Sequence, residues 1–185
     1  MIESATVLHR DRSFLLIVDV QERLTPSIAE APKVVEKTGI LMQAARRLDI
    51  PVLATEQYTK GLGLTVPDLR EQLEVSERME KIHFDATREP EIRAQLAAFD
   101  RDQAVITGIE SHVCVLQTAL GCLDMGVVPY IPADAVASRD PGNRELALSR
   151  LAQTGGRTVA TEMVLFEWLE RAGTDVFREL LPLIR

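Results

Sequence analysis

An uninterrupted apolar run near the start of the chain does most to limit what the chain can fold into. Ser13 is followed by five apolar residues, Phe-Leu-Leu-Ile-Val, and the run ends at Asp19. A run of strand length without polar alternation is typical of a strand that is covered on both faces. Such strands occur in parallel sheets that carry helices on both sides. The run therefore predicts a buried parallel strand with a carboxyl group at its carboxyl end.

Short runs of this kind alternate with helical spacing along the rest of the chain. Alternating strands and helices predict parallel strands joined by right-handed crossovers. We therefore expect the α/β class, with a doubly wound, mainly parallel six-stranded sheet and helices on both faces in a Rossmann-like three-layer sandwich. With no internal repeat or linker-like stretch, residues 1–185 are expected to form one domain. Further strands are predicted over residues 51–56, 80–84, 103–108, 127–131 and 157–160, and helices over residues 32–48, 87–99, 112–125, 141–153 and from residue 161 onward.

Several helix and strand ends carry their own sequence signals. Thr87 is expected to cap the helix that follows it, because a threonine hydroxyl accepts a bond from the free N–H groups of a first helical turn. Asp140 and Pro141 predict the start of another helix in the same way. Pro129 has no N–H for a sheet hydrogen bond, so it predicts an edge strand or a bulge.

Charge and cysteine usage narrow the classes of partner and compartment. The 185-residue chain has a formal net charge of -7 and no basic block, which disfavours nucleic acid and anionic membranes as partners. No apolar stretch reaches the length of a membrane span, and Met1–Arg12 lacks the apolar core of a signal peptide. We therefore expect a cytoplasmic protein. Its two cysteines are too few for a disulfide framework, and its three histidines lack metal-ligand spacing, so we expect neither a metal nor a cofactor.

Polar residues stand at the predicted carboxyl ends of several strands. In doubly wound sheets, ligands bind in the crevice outside those ends. Asp19, Glu56, Lys81 and residues 108–114 all fall at or near such positions. We therefore expect these side chains to face a common crevice, although a turn cap for Asp19 and a solvated edge position for Lys81 are the plainer alternatives.

Cys114 follows a strand, a glycine and a short polar turn, and it precedes a helical pattern. It is therefore expected in the first turn of a helix, where free N–H groups and the helix dipole favour an anion. A nearby cation would further lower the thiol pKa and so favour the nucleophilic thiolate. The alternative is a buried structural cysteine, which is the interpretation we give to Cys122 in the middle of the helix.

Three segments together resemble the isochorismatase-like cysteine hydrolases, a family that includes nicotinamidases and N-carbamoylsarcosine amidohydrolase. They are LLIVDVQ at residues 15–21, Lys81 before His83 and Phe84, and TGIESHVCVLQTA at residues 107–119. The sequences TEQYTKGLGLTVPDL at residues 55–69 and TEMVLFEWL at residues 161–169 further resemble the isochorismatase domain-containing branch, whose physiological substrates are poorly defined.

The resemblance implies a catalytic triad of Asp19, Lys81 and Cys114. Asp19 would move protons, Lys81 would stabilise the thiolate, and Cys114 would form a thioester-type intermediate with a small amide, carbamoyl or ester substrate. The resemblance also implies a cis peptide between Ile109 and Glu110. The backbone N–H groups of Glu110 and Cys114 would then form an oxyanion hole. Most members of the family self-associate, so a homo-oligomer, a dimer or larger, is expected.

The substrate pocket and two alternative functions are less tightly defined. Gln21, Glu56, Tyr58 and Ile109 are pocket candidates, and ordinary turn or loop positions are the alternative for the first three. Nicotinamidases place histidines after the second strand to bind a metal, but residues 55–58 read Thr-Glu-Gln-Tyr. A nicotinamidase-like amidase is therefore the lesser enzymatic alternative, and a catalytically silent oligomeric interaction protein is the non-enzymatic one.

Overall fold

The computed structural model describes residues 7–184, which form a parallel sheet with helices on both faces. The predicted α/β class and doubly wound architecture are confirmed, but the sheet has seven strands rather than six. Six of them follow the order β3-β2-β1-β4-β5-β7, and β6 pairs with β4 beyond the end of β5. The strands are β1 (Ser13–Val18), β2 (Val52–Gln57), β3 (Arg78–Lys81), β4 (Gln103–Ile109), β5 (Val128–Pro132), β6 (Val136–Ala137) and β7 (Arg157–Val159).

Eight α-helices lie in the part of the chain that the structure describes. Those that cover the sheet carry apolar residues on their inner faces, as the sequence spacing predicts. Their bounds are α1 (Ala31–Arg47), α2 (Thr59–Leu62), α3 (Pro67–Arg70), α4 (Pro90–Ala98), α5 (Leu116–Asp124), α6 (Pro141–Gln153), α7 (Thr161–Leu169) and α8 (Asp175–Leu180). No helix among residues 7–184 is long and apolar enough to cross a membrane.

Strand β1 lies at the centre of the sheet and is buried on both faces. It pairs in parallel with β2 on one side and with β4 on the other. Leu15 and Ile17 pack into the apolar layer that contains α1 and α7. Phe14 and Leu16 pack into the opposite layer, with α4, α5 and α6. Because successive side chains of a strand point to opposite faces, both layers need apolar residues, and this explains the unbroken run.

Two predicted strands differ from those in the structure. The third strand ends at Lys81 rather than at Phe84, because the chain turns away after Lys81 to form a loop. Strand β5 is neither an edge strand nor bulged at Pro129. Pro129 pairs with Ala104 of β4, whereas pairing with β7 begins one residue later at Tyr130. The missing N–H of Pro129 therefore lies where β5 has only one neighbouring strand.

Of the two predicted helix caps, one is confirmed and the other is wrong. Asp140 caps α6 as expected, since its side chain accepts a hydrogen bond from the N–H of Gly142 at 2.8 Å. Thr87 does not cap α4. It lies in a short 3-10 turn, and its own N–H and hydroxyl both donate to the carboxylate of Asp85. Helix α4 begins after Glu89, at Pro90, which suits a first helical turn because it needs no N–H partner.

Candidate active site

Asp19 leaves the carboxyl end of β1 with its side chain fully buried. Its backbone adopts a left-handed conformation with φ of 55°, and its N–H still donates to the carbonyl of Thr55 on β2. The hydroxyl of Thr55 donates to Asp19 Oδ1 at 2.7 Å, and Lys81 Nζ lies 2.8 Å from Asp19 Oδ2. Burial raises the pKa of Asp19, against the opposing effects of Lys81, Cys114 and Thr55.

Gly108 allows the end of β4 to pack closely against the end of β1. It pairs with Val18 and has a φ of +120°. A Cβ atom at this position would lie 2.0 Å from the carbonyl oxygen of Val18, which no side chain can occupy. The absence of a side chain at Gly108 therefore allows the segment that carries Cys114 to follow directly beside Asp19.

Lys81 is the last residue of β3, and its ammonium group is surrounded by oxygen atoms. Besides Asp19, Lys81 Nζ donates to Gln57 Oε1 at 2.6 Å and to the carbonyls of His83 and Phe84 at 3.2 and 3.4 Å. The side chain is fully buried. A lysine buried to this extent needs such partners, since its charge has lost contact with water. The solvated edge position that was the plainer alternative is therefore wrong.

Cys114 lies in a π-helical turn, Ser111–Val115, rather than in the first turn of α5. The N–H groups of Val113 and Val115 both donate to the carbonyl of Glu110, which widens the turn. Cys114 is buried, and its thiol is within hydrogen-bonding reach of Asp19 and Lys81. The structure thus brings together the three side chains that the sequence singled out.

The thiol pKa differs in direction from the one expected from the sequence. Burial raises the pKa of Cys114, and the adjacent Asp19 carboxylate raises it further, while Lys81 opposes both effects. The expectation of a lowered pKa at a helix N-terminus is therefore wrong. The raised pKa favours the protonated thiol, and a carboxylate stands beside it that can accept the proton.

The turn that carries Cys114 is fastened to the segment after β6. Glu110 is buried, and its carboxylate accepts a hydrogen bond from the N–H of Arg139 at 2.9 Å. His112 Nδ1 lies 2.9 Å from the hydroxyl of Ser138. The peptide bond between Ile109 and Glu110 is cis, and Ile109 is fully buried in the apolar core.

Two of the pocket candidates are occupied with structural contacts. Gln21 is fully buried and donates from Nε2 to the carbonyls of Gln57 and Gly63, while its Oε1 accepts from the N–H of Gln57. Glu56 is buried, and its Oε1 accepts from both the N–H and the hydroxyl of Thr65 at 2.8 Å. Their polar groups therefore fix the loop after β2, which fits the turn or loop alternative for both residues.

Tyr58 is half exposed and lies beside a cavity of about 350 Å³. This cavity lies next to Lys81 and is also lined by Ile82, whose side chain is exposed. Of the pocket candidates, Tyr58 is thus the one whose side chain faces open space near the site. The remaining lining residues are Lys60, Glu80 and Glu89.

Gln57 is a residue of the site that the sequence did not single out. It stands at the end of β2, is buried, and joins Gln21 to Lys81 through its backbone and its side chain. Its position at a strand end is the signal that the sequence offers for it, as it is for Glu56.

Cys122 is fully buried, and burial and Asp85 raise its pKa to about 12, which agrees with a structural role. No group of three or more potential metal-ligating side chains occurs among residues 7–184.

Comparisons with known proteins place the chain in one family. The Isochorismatase domain family matches residues 13–163. Isochorismatase domain-containing protein 2 from Danio rerio is 38% identical over 172 residues, which cover 93% of this chain and 86% of that protein. A solved structure described as MAR1 ribonuclease from Caenorhabditis elegans is 32% identical with a TM-score of 0.90, covering 97% of this chain and 92% of that chain. An octameric hydrolase of unknown specificity from Escherichia coli shares the fold at 22% identity, with a TM-score of 0.90 and coverage of 96% and 90%. The chain therefore belongs to the isochorismatase domain family.

Proposed function

We propose that this protein is a metal-independent cysteine hydrolase that acts on a small amide, carbamoyl or ester substrate. One observation carries the proposal: a thiol, a carboxylate and an ammonium group, from three separate segments, meet in a buried cluster at the carboxyl edge of the sheet. Burying such a set costs free energy, and structural stability alone does not require it. Buried, coupled ionisable groups of this kind are typical of active sites.

In the proposed reaction, Asp19 accepts the thiol proton while the sulfur of Cys114 attacks the carbonyl carbon. The tetrahedral intermediate collapses when the bond to the leaving nitrogen or oxygen breaks, and Asp19 passes the same proton to that atom. A thioester on Cys114 remains. Water then attacks the thioester, Asp19 takes the proton of the water, and the proton returns to the sulfur as the acid product departs.

The raised pKa of Cys114 shapes the first step. Because the raised pKa favours the protonated thiol, Asp19 is proposed to remove the thiol proton as the sulfur attacks the substrate. Lys81 remains in contact with Asp19, so its positive charge offsets the negative charge that passes between carboxylate and sulfur. The backbone N–H groups of Glu110 and Cys114 are the proposed donors to the developing oxyanion.

The proposed setting is a cytosolic protein that consists of one domain and self-associates. The octameric assembly belongs to the Escherichia coli protein, and we carry over only the expectation that this chain also forms a homo-oligomer. The exposed side chains of Ile82 and Phe84 support such an assembly, because clustered apolar groups at a surface favour a protein partner. Tyr58 and Glu56 are proposed to stand near the substrate, the former at the open cavity and the latter beneath the loop.

A hydrolysis screen with matched cysteine variants tests the proposal. Wild type, Cys114→Ser and Cys122→Ser would each be incubated with small amides, carbamates and esters, with nicotinamide and RNA as further arms, and product release would be measured. We expect turnover by wild type and Cys122→Ser, no turnover by Cys114→Ser, and a substrate-derived mass on Cys114 after rapid acid quenching. Hydrolysis by Cys114→Ser at the wild-type rate would overturn covalent catalysis. No turnover of any substrate, with no adduct on Cys114, would favour the catalytically silent interaction protein.

A further inference from the structure

The ammonium group of Lys81 touches a side chain that the proposed reaction does not use. Gln57 Oε1 lies 2.6 Å from Lys81 Nζ, which is closer than the 2.8 Å that separates Nζ from Asp19 Oδ2. Both Gln57 and Lys81 are buried. The position of the positive charge between Asp19 and the following loop therefore depends on Gln57 as well as on Asp19.

The amide of Gln57 can point only one way. Its Nε2 donates to the carbonyl of Ile82 at 2.7 Å, so its Oε1 must be the atom that faces the ammonium group. The backbone of Gln57 is fixed as well, since its N–H donates to the side chain of Gln21 and its carbonyl accepts from the same side chain. Because both the backbone and the side-chain amide of Gln57 are fixed, its Oε1 can hold the Lys81 ammonium group in one position.

We propose that Gln57 is a positioning residue that acts through Lys81 and so controls how readily Asp19 takes the proton of Cys114. This inference rests on the proposed function, because it assumes that Cys114 is the nucleophile. Without the Gln57 side-chain carbonyl, the lysine keeps its contacts with Asp19 and with the carbonyls of His83 and Phe84. The ammonium group is then free to shift among these oxygens, and the proton transfer loses its fixed geometry.

A double-mutant cycle separates positioning from ordinary structural support. The variants are Gln57→Met, Lys81→Met and the double variant, and the readout is the rate at which acrylamide alkylates Cys114, followed by mass spectrometry. We expect Gln57→Met to slow alkylation by about tenfold or more when Lys81 is present. In the Lys81→Met background the same change should alter the rate by less than about twofold, because a residue that acts only through Lys81 has nothing left to position.

A substitution that adds a negative charge gives a second test, which does not need the Lys81 variant to fold. The charged and titratable groups that act on Cys114 are Asp19 and Lys81. Gln57→Glu adds a carboxylate against this cluster, so the pH midpoint of alkylation should rise by about one unit. The control is Gln43→Glu, which adds the same charge on the exposed face of α1 and should leave the midpoint unchanged.

The outcomes discriminate between the two proposals. Equal slowing by Gln57→Met in both backgrounds, or an unchanged midpoint in Gln57→Glu, would overturn the positioning role while Cys114 remained reactive. A wild-type Cys114 that does not react with acrylamide faster than Cys122 would contradict the proposed function itself.

Discussion

Lys81 Nζ lies 2.8 Å from Asp19 Oδ2, and neither side chain is in contact with solvent. The two residues are 62 positions apart in the chain, and the sheet alone joins them, through β2 between β1 and β3. Thr55, on β2, also hydrogen-bonds Asp19 through its hydroxyl. A buried pair of this kind makes each partner's charge dependent on the other.

Removing the lysine should destabilise the protein in a pH-dependent way. Lys81→Met leaves Asp19 without its counter-ion, and we expect a loss of about 3 kcal/mol at neutral pH. Without Lys81 the folded-state pKa of Asp19 rises further above the 3.8 of a free aspartate, so stability falls as pH rises through the interval between these two values. Urea unfolding at pH 5 and pH 7.5 should therefore show a larger difference from wild type at the higher pH.

The matched control for that experiment is the double variant Asp19→Asn with Lys81→Met. It removes both charges and keeps an oxygen that can accept from the hydroxyl of Thr55. Most of the lost stability should return in this variant. A double variant that is no more stable than Lys81→Met would contradict the explanation that an unpaired Asp19 carboxylate causes the loss.

Thiol alkylation should depend on Asp19 rather than on a standing thiolate. Burial raises the pKa of both cysteines, so neither should react quickly without a base. We expect acrylamide to modify Cys114 well before Cys122 in wild type. Because Asp19→Asn alone would leave Lys81 unopposed and so lower the thiol pKa, the base is tested in the Lys81→Met background, where Asp19→Asn should slow Cys114 further. Peptide mass spectrometry over a time course measures both rates in one sample. An alkylation rate of Cys114 that Asp19→Asn leaves unchanged in the Lys81→Met background would contradict the role of Asp19 as the base.

Gly108→Ala should prevent normal folding. Its Cβ would have to occupy space 2.0 Å from the backbone oxygen of Val18, in the centre of the sheet. Gly126→Ala is the control, because Gly126 also has a positive φ but a Cβ added there would meet nothing within 4 Å. We expect Gly126→Ala to cost about 1 kcal/mol and to fold, whereas Gly108→Ala should yield little soluble protein. Thermal unfolding and soluble yield of both variants test this difference.

Glu89 should support the site from outside it. Its carboxylate accepts from the N–H groups of Ile82 and His83 and lies 2.9 Å from His83 Nδ1, and these hydrogen bonds lower its pKa to about 2. The carbonyls of the same loop face Lys81. Glu89→Ala should therefore slow the alkylation of Cys114 by about tenfold, since small displacements at a reacting group are costly.

Glu91→Ala is the control for Glu89, because Glu91 is exposed in the first turn of the helix that Glu89 precedes. It should leave the alkylation rate unchanged.

The lowered pKa of Glu89 also predicts how folding stability depends on pH. The stabilisation that Glu89 contributes is present above pH 4.5 and is lost as pH falls toward 2. A stability difference between wild type and Glu89→Ala that persists unchanged at pH 2 would contradict this account.

Features with a strong local pattern could be predicted from the sequence, and those set by tertiary contacts could not. The apolar run before Asp19 indicates its strand because burial on both faces requires apolar residues at every position. Strand β6 has two residues, Val136 and Ala137, too few to show a period. The π-helical turn around Cys114 arises from two N–H groups that share the carbonyl of Glu110, which no residue spacing reveals.

The direction of the thiol pKa shift shows the same limit at the level of chemistry. The position of Cys114 before a helix favours a thiolate, but the pKa of its thiol depends more on burial and on Asp19. Both depend on how three distant segments pack together. The role of Gln57 could not be predicted for the same reason, because its contacts with Gln21 and Lys81 exist only after β1, β2 and β3 have aligned.

Strand β3 has four residues and forms the outer edge of the sheet, with β2 as its neighbour. Marginal edge segments detach more often than central ones, through fluctuations that leave the remainder of a domain intact. Each such excursion would carry Lys81 away from the sulfur. Hydrogen exchange of the β3 amides would then report how often Lys81 leaves the site. A contact that stabilises this edge strand would increase the fraction of time that Lys81 spends near Cys114, without touching Cys114 itself.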